Sequence, residues 1–221
     1  MESEQDMEFD FTTLPPRDRY RLLIGAVVPR PIALVTTLDE RGVPNAAPFS
    51  FFNVFSHDPV IVALGIEQRE SGAPKDTVRN IRLHREFVVN LVNEAIAEAM
   101  NVCAVDFPPG VSELDAAGLT AAPSSGIATP RIAESPVNME CRLIEELRFG
   151  GDLKRSIVLG EVVRFHIKDE FLTPRGYVDI PAMHPVGRLS GNGYVRLSDR
   201  FEMKRETYAE WLAHRKKDAA S

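Results

Sequence analysis

The sequence predicts an antiparallel β-barrel with helices at its periphery. Its extended, β-branched segments are separated by short turn signals, and short links favour antiparallel pairing. The alternating strands and helices of a βαβ fold are absent, as are the GxGxxG and GxxxxGK[ST] motifs, so a Rossmann or P-loop domain is not expected. With 221 residues, of which 44% are hydrophobic, the chain is long enough for one domain with a sizeable core.

The pattern along the chain predicts three parts. Residues 1–15 form an acidic tail, residues 16–200 form the barrel domain, and residues 201–221 form a C-terminal amphipathic helix. The net charge of −6 argues against a nucleic-acid partner, which usually requires a basic patch. No apolar run reaches the length of a membrane span, and the acidic start lacks the features of a secretory signal. We therefore expect a cytoplasmic protein that does not cross a membrane.

The first half of the chain is predicted to form two helices and four strands. A short helix over residues 16–25 is followed by strands over 29–38, 43–55 and 59–66, with a hairpin turn at 39–42. Pro44 and Pro48 predict a bulge or an irregular edge in the second strand. A polar run with Gly and Pro then leads into a helix over 75–84 and a strand over 86–92.

The second half is predicted to be more irregular. A helix over 93–104 begins at Asn93 as its N-cap, and Ser112 begins a short helix in a capping-box pattern. Two long strands over 136–149 and 155–167 are joined by the turn Gly150-Gly151-Asp152. Residues 169–200 are irregular, and residues 202–217 form the terminal helix. Cys103 and Cys141 are expected to be buried free thiols, because they form no CxxC pair.

The start of the helix at 75–84 is the first candidate site. Asp76 or Thr77 can cap the first turn through a side-chain oxygen, and capping explains most starts of this kind. The same geometry suits a phosphate, because the free N–H groups and the helix dipole attract an anion. Lys75 adds a positive charge, Thr77 adds a hydroxyl, and Asn80 lies one turn further along. The local pattern leaves both alternatives open.

Two other segments have the composition of a ligand pocket. Residues 45–53 combine small and aromatic residues with Ser50 and Asn53, which indicates either a cofactor pocket or a bulged core strand. The glycine-rich residues 184–194 place His184 and Arg188 in a loop that either faces a ligand or forms a surface turn. No histidine pair has metal-ligand spacing and no GxSxG elbow occurs, so neither a metal site nor a hydrolase is expected.

These segments occur in an order that resembles the flavin reductase-like family of FMN-binding split barrels, most closely its flavoredoxin-type branch. The resemblance is carried by RPIALVTT (30–37), NAAPFSFF (45–52), DP (58–59), KDT (75–77) with Asn80, and FVVN (87–90). Residues 188–194 look like the Arg-x-Gly-Gly-x-x-Tyr motif of that branch, with Ser190 in place of the first glycine.

The resemblance implies a six-stranded antiparallel Greek-key barrel, normally a homodimer with FMN near the subunit interface. It also implies that hydride passes from NADH or NADPH to the flavin, with a monooxygenase or another electron acceptor as a partner. By position, the flavin ring would be lined by Ser50, Phe51, Phe52 and Asn53, and Arg30 would lie near it. The phosphate would be surrounded by Lys75, Asp76, Thr77 and Asn80. The nicotinamide would be bordered by His184 and Arg188.

Two alternatives to a flavin reductase remain open. The first alternative is an electron carrier that holds FMN without a nicotinamide site of its own, and the second is a non-catalytic barrel that binds a flavin-like or other aromatic ligand. Residues 184–194 distinguish the reductase from the carrier. Room for a nicotinamide beside His184 and Arg188 favours the reductase, whereas a face covered by Tyr194 or the C-terminal helix favours the carrier.

Overall fold

Extended segments dominate the computed structural model, which describes residues 6–69, 72–108, 111–151 and 154–218. The strands are β1 (Ala33–Leu38), β2 (Pro44–Phe49), β3 (Phe52–His57), β4 (Val60–Glu67), β5 (Glu86–Leu91), β6 (Ala121–Ala122), β7 (Arg131–Ile132), β8 (Val137–Phe149), β9 (Arg155–Ile167), β10 (Val186–Arg188) and β11 (Tyr194–Arg196). Seven of them form one antiparallel sheet in the order β2-β1-β5-β8-β9-β4-β3. The pairs β6–β7 and β10–β11 form two small sheets. The mainly β, antiparallel class predicted from the sequence is confirmed.

The helices lie largely where the sequence predicts them. They are α1 (Pro16–Ala26), α2 (Asp76–His84), α3 (Ala97–Val102), α4 (Glu113–Ala117), α5 (Ile180–Met183) and α6 (Tyr208–Asp218). Ser112 caps α4 as predicted, since its side chain accepts a hydrogen bond from the Asp115 amide. Asn93 makes no side-chain capping bond, and a 3-10 turn over Glu94–Ile96 precedes α3. Helix α6 begins six residues later than the terminal helix predicted over 202–217.

The predicted number of six strands is wrong, and hydrogen bonds do not close the described sheet. The extended segment predicted over 43–55 turns a corner at Ser50 and Phe51, which divides it into β2 and β3 at opposite ends of the sheet. The Gly65 amide of β4 donates to the Phe51 carbonyl at 2.7 Å. Glycine is required here, because a Cβ at Gly65 would lie only 2.9 Å from Phe51 Cβ.

The curved sheet surrounds one hydrophobic core. Side chains from both ends of the sheet, from its central strands and from α2 pack there together. They include Val35, Phe49, Phe52, Val62, Leu64, Val78, Ile81, Phe87, Val89, Met139, Cys141 and Val158. A second core lies beneath α3 and α4 and contains Ile96, Met100 and Cys103. Both cysteines are buried and free, as expected.

Two carboxylates on neighbouring strands hold the irregular segment before β8. Glu86 of β5 accepts hydrogen bonds from the amides of Ala128 and Thr129 at 2.9 and 2.8 Å. Glu140 of β8 accepts from the amides of Ser125 and Gly126 at 2.8 and 2.7 Å. Carboxylates on the strands therefore accept the hydrogen bonds of backbone amides that regular pairing does not satisfy in this segment.

Some sequence predictions concern residues outside the described ranges. These are residues 1–5 of the acidic tail, Asp152 of the predicted turn before β9, and the last residues of the terminal helix, 219–221. Among the described helices, none combines the length and the apolar character needed to span a membrane.

Candidate functional site

The centre of the candidate site is Arg30, which precedes β1 and is only 6% exposed. Its Nη1 donates to the carbonyls of Ile24 and Val27 at 2.7 and 3.1 Å, and its Nη2 donates to the Leu189 carbonyl at 2.9 Å. Its Nε donates to Ser50 Oγ at 3.3 Å. One guanidinium therefore joins the end of α1, the corner between β2 and β3, and the β10–β11 hairpin.

A cavity of about 270 Å³, here called the arginine cavity, lies beside this guanidinium. Its lining combines apolar and aromatic side chains with two arginines: Tyr20, Ile24, Arg30, Ile32, Pro48, Phe49, Ser50, Met100, Ala104, Arg188, Leu189, Gly191 and Tyr194. This described lining contains no carboxylate. Neither arginine forms an ion pair within the described part of the chain.

The charge of Arg30 is therefore buried without a neighbouring counter-charge. Burial, with a smaller contribution from Arg188, lowers the pKa of the Arg30 guanidinium from its usual value of 12.5. Arginine nevertheless stays protonated in proteins. A cavity with two cations and no lining carboxylate attracts an anionic ligand.

Arg188 enters the same cavity from the hairpin that joins β10 to β11. Its Nη2 donates to the Gly191 carbonyl at 2.5 Å, and its guanidinium lies 4.5 Å from the centre of the Tyr194 ring. The backbone of Arg188 also exchanges hydrogen bonds with that of Arg30, at 3.0 and 2.8 Å. Arg30 and Arg188, which are far apart in sequence, are thus fixed next to each other.

The serine that replaces a glycine in this hairpin fits the turn. The left-handed conformation, with φ of +56°, falls on Gly191, and Ser190 is not among the residues with positive φ. The turn is closed by hydrogen bonds from the Leu189 amide to the Gly193 carbonyl and from the Gly193 amide to the Ser190 carbonyl, both at 3.0 Å. A side chain at position 190 therefore causes no backbone strain.

The corner between β2 and β3 separates the four predicted ring-binding residues. Ser50 lines the arginine cavity and accepts from Arg30, whereas the Phe52 side chain is buried in the core. Phe51 is 41% exposed, and its ring centre lies 6.4 Å from that of Tyr20. The exposed Asn53 accepts through Oδ1 from the Val54 amide at 2.8 Å. Of these four side chains, only that of Ser50 lines the cavity.

The start of α2 lies close to Phe49, which also lines the arginine cavity. Lys75 occupies the N-cap position, and its ammonium lies 5.8 Å from the centre of the Phe49 ring. The prediction that Asp76 or Thr77 caps this helix is wrong, because the helix has no side-chain capping bond. Asp76 instead pairs with arginines, and the buried Thr77 hydroxyl accepts from Asn45 Nδ2 at 3.4 Å. The helix start therefore has no side chain that competes with an anion for its amides.

Asn80 and His184 also lie away from the arginine cavity. Asn80 is buried, and its Nδ2 donates to Thr37 Oγ1 of β1 at 3.1 Å. His184 is exposed at the end of α5 and lines a separate hollow with Glu94 and Arg196. The geometry therefore brings Arg188 to Arg30 and Ser50 but leaves His184 outside.

Sequence reasoning missed most of the apolar lining of the cavity. Ile24 and Met100 contribute from α1 and α3, and Leu189 contributes both a side chain and the carbonyl that Arg30 holds. Met100 belongs to a helical stripe of apolar residues, which is typical of ordinary core packing. No local signal distinguishes it from its buried neighbours, because its place in the cavity depends on how α3 packs on the sheet.

Comparison with known proteins identifies the family. The family model described as the flavin reductase-like domain matches residues 24–182, which is more than half of the chain. The chain belongs to the flavin reductase-like family. The resemblance inferred from the ordered motifs is thereby confirmed, and membership implies flavin binding and oxidoreductase chemistry.

Individual relatives match over nearly the whole chain. Protein BH2278 of Halalkalibacterium halodurans is 40% identical over 207 residues, which cover 92% of this chain and 99% of that protein. The structure of nitrilotriacetate monooxygenase component B from Bacillus cereus has a TM-score of 0.86 at 33% identity and covers 91% of this chain and 100% of its own. The 2-nitrobenzoate 2-nitroreductase NbaA of Pseudomonas fluorescens has a TM-score of 0.82 at 37% identity and covers 91% of this chain and 98% of its own.

Proposed function

We propose that this member of the flavin reductase-like family is an FMN-dependent NAD(P)H:flavin oxidoreductase. The observation that carries the proposal is the arginine cavity, where Arg30 and Arg188 lie together without a lining carboxylate among the described residues. FMN is an anion with a flat, mostly apolar ring system, and a cavity lined by apolar side chains and two cations suits that ring.

The residues present fit such a cofactor. The volume of about 270 Å³ is close to the lower end of the range for small-molecule sites, about 300–1,000 Å³. Ser50 supplies a hydroxyl beside an apolar wall. Lys75, Thr77 and the amides at the start of α2 are proposed to hold the phosphate, with Asp76 in the same turn kept in place by its arginine partners.

When bound, FMN supplies a ring that accepts a hydride from a reduced nicotinamide. The chain itself binds and orients the two ligands and excludes water with the apolar wall of Ile24, Ile32 and Met100. Hydride transfer needs no general acid or base, and the described lining of the cavity contains neither histidine nor carboxylate. We propose that Arg188 borders the nicotinamide. A similar role for His184 remains a prediction that its position outside the cavity does not support.

A carrier of electrons without a nicotinamide site is the second candidate. The observation that favours it is Tyr194, which lines the arginine cavity and stacks on Arg188. Tyr194 thus occupies space where a second ring would have to enter. No residue of α6 belongs to the described lining, so this helix gives the carrier no support.

The proposed partners rest on the exposed surface and on the relatives. Apolar side chains on β3, β8 and β9 are exposed, among them Val54, Phe55, Ile144, Phe149 and Phe165. We propose that a second copy covers part of this surface in a homodimer. One similar structure is a monooxygenase component, and we propose by analogy that this protein supplies reduced flavin to a monooxygenase. Two buried free thiols agree with a cytoplasmic location.

An anaerobic titration tests the reductase against the carrier. Purified protein loaded with FMN is mixed with NADH or NADPH, and the absorbance of oxidised flavin near 450 nm is followed. The reductase requires that one of these nucleotides bleaches the flavin during catalytic turnover. Bleaching by dithionite alone would eliminate the reductase and leave the carrier.

A double variant tests the proposed phosphate site. Lys75→Ala with Thr77→Ala removes a charge and a hydroxyl from the start of α2, so the purified protein should retain less FMN. The exposed Lys204→Ala serves as the matched control, because Lys204 pairs with Glu210 in the C-terminal region. Circular dichroism checks that the fold persists. Equal flavin occupancy in the double variant and the control would contradict the phosphate assignment.

A further inference from the structure

A second cavity, here called the hairpin cavity, lies between α3 and the β10–β11 hairpin and has a volume of about 340 Å³. Its apolar wall is formed by Ala97 of α3 together with Val186 and Val195 of the two hairpin strands. Nothing in the proposed transfer of hydride uses this space. Its size and its mostly apolar wall are those of a site for a flat organic group.

Tyr194 belongs to the lining of both cavities. Its ring stacks on Arg188 of the arginine cavity, and its hydroxyl lies 3.5 Å from Oδ1 of Asn101, which lines the hairpin cavity. The two spaces are thus neighbours separated by one aromatic side chain, with a cation at their boundary. A ligand that extends through both would place a negatively charged linker near Arg188 and a second ring beside Tyr194.

The polar residues of the hairpin cavity favour hydroxyl groups over another phosphate. Glu94 pairs with Arg196 at 2.5 Å, and both line the cavity. Glu98 also lines it and forms no ion pair within the described part of the chain. One carboxylate therefore remains uncompensated. Carboxylates accept hydrogen bonds from ribose hydroxyls and repel a 2′-phosphate, as in other dinucleotide sites.

We propose that the hairpin cavity binds the adenosine half, with free ribose hydroxyls, of a dinucleotide whose redox ring lies in the arginine cavity. The inference rests on the proposed function and adds to it a second subsite. The adenine is held between the apolar wall and Tyr194, the pyrophosphate faces Arg188, and the ribose faces Glu98. NADH and FAD share this adenosine half, and the experiment distinguishes them.

The variant Asn101→Trp fills the hairpin cavity from an exposed position of α3. Reduction of bound flavin is measured with NADH and with reduced nicotinamide mononucleotide, which lacks the adenosine half. We expect kcat/KM for NADH to fall about tenfold, and that for the mononucleotide to change less than about twofold. The mononucleotide controls for damage to the arginine cavity, because it needs only that part of the site.

A parallel measurement determines which dinucleotide supplies the adenosine. Affinities for FAD and FMN are compared in the wild type and in Asn101→Trp by flavin fluorescence. An unchanged NADH rate together with a fall of about tenfold in FAD affinity alone would assign the cavity to FAD. Equal losses for NADH and the mononucleotide, or no loss for either NADH or FAD, would overturn the proposal.

A charge reversal tests the ribose contact without filling the cavity. Glu98→Lys should raise the ratio of kcat/KM for NADPH over NADH about tenfold if NADH is the ligand, because a cation replaces the repelling carboxylate. Glu170→Lys reverses the charge of another exposed glutamate, in a 3-10 turn far along the chain, and should leave the ratio unchanged. The same ratio in both variants would contradict the assignment of Glu98.

Failure of this proposal can be told from failure of the reductase. If neither nucleotide nor mononucleotide reduces the flavin, the proposed function is wrong, and the cavity is then tested by calorimetry with ADP. ADP binding that Asn101→Trp weakens about tenfold would still support an adenosine site. Absence of ADP binding to the wild type would overturn it.

Discussion

Arg30→Met is expected to destabilise the protein while it weakens flavin binding. The substitution keeps an apolar chain of similar reach but removes every donor of the guanidinium. The carbonyls of Ile24, Val27 and Leu189 and the hydroxyl of Ser50 then lose their partner at once. Since these acceptors belong to three different parts of the chain, the contacts among all three parts should weaken at the same time.

The magnitude follows from the surroundings of each bond. A hydrogen bond to a charged group contributes about 1.5–3 kcal/mol, and a buried acceptor left alone costs about 1–3 kcal/mol. Only the bond to the Ile24 carbonyl is fully buried, so water can replace the guanidinium at the other acceptors. Removing an uncompensated buried cation also relieves part of its desolvation cost. We therefore expect a net loss of about 3 kcal/mol, which corresponds to a decrease in Tm of about 6–12 °C for a domain of this size.

Urea unfolding measures this loss, and Arg188→Met is the matched control. Arg188 is half-buried, donates to one carbonyl and stacks on Tyr194, so its loss should cost about 1 kcal/mol or less. Both variants remove one positive charge from the arginine cavity, and both should bind FMN more weakly. If Arg30→Met unfolded within about 1 kcal/mol of the wild type, the structural role assigned to its hydrogen bonds would be refuted.

Three further predictions concern packing, pH and thiol reactivity. Gly160→Ala should lower the free energy of unfolding by about 1–3 kcal/mol, because the new Cβ would lie 2.4 Å from Cζ of Phe87. A urea midpoint equal to that of the wild type would contradict this prediction. Burial raises the pKa of Glu113 above its usual 4.5, so the folded state holds its proton more tightly and stability should fall as pH rises above that value. Glu113→Gln should make Tm depend less on pH in this range, and an unchanged slope of Tm against pH would contradict the prediction. Burial raises the pKa of Cys103 to about 12 and that of Cys141 further, so iodoacetamide at pH 8 should modify both thiols only after unfolding, as mass spectrometry can show.

Local sequence patterns predict the helices and strands well, because the signal for each one lies within its own segment. The apolar stretch of β4 contains three consecutive buried residues, Val62, Ala63 and Leu64, as a strand covered on both faces requires. The capping serine at Ser112 is a contact between near neighbours in sequence, and the prediction at this position is confirmed. At Asp76 the same kind of prediction is wrong, because Arg69 and Arg79 draw the carboxylate away from the helix amides.

The candidate site is less predictable because it depends on contacts between distant residues. The motifs indicated Arg30, Ser50 and Arg188, and the structure places all three at one cavity. They did not indicate that Arg30 bonds to carbonyls on both sides of the site, since a carbonyl carries no signal in the sequence. The sequence places His184 and Arg188 in one glycine-rich loop, and the family resemblance implies that both border the nicotinamide. The extended β10 between them carries Arg188 into the cavity and leaves His184 at the end of α5.

The two arginines of the cavity must act differently on an anion. A guanidinium has five N–H donors, and Arg30 uses four of them within the protein. Nearly all of its donors are used within the protein, but its charge has no counter-ion among the described residues. Arg30 therefore mainly contributes a fixed positive charge. Arg188 makes one side-chain hydrogen bond and retains donors that can reach a ligand directly. Arg188→Lys should therefore keep the positive charge but lose the planar set of N–H donors that can contact a ligand. Arg30→Lys should lose the hydrogen bonds that hold the hairpin against α1, because one ammonium cannot span the same acceptors.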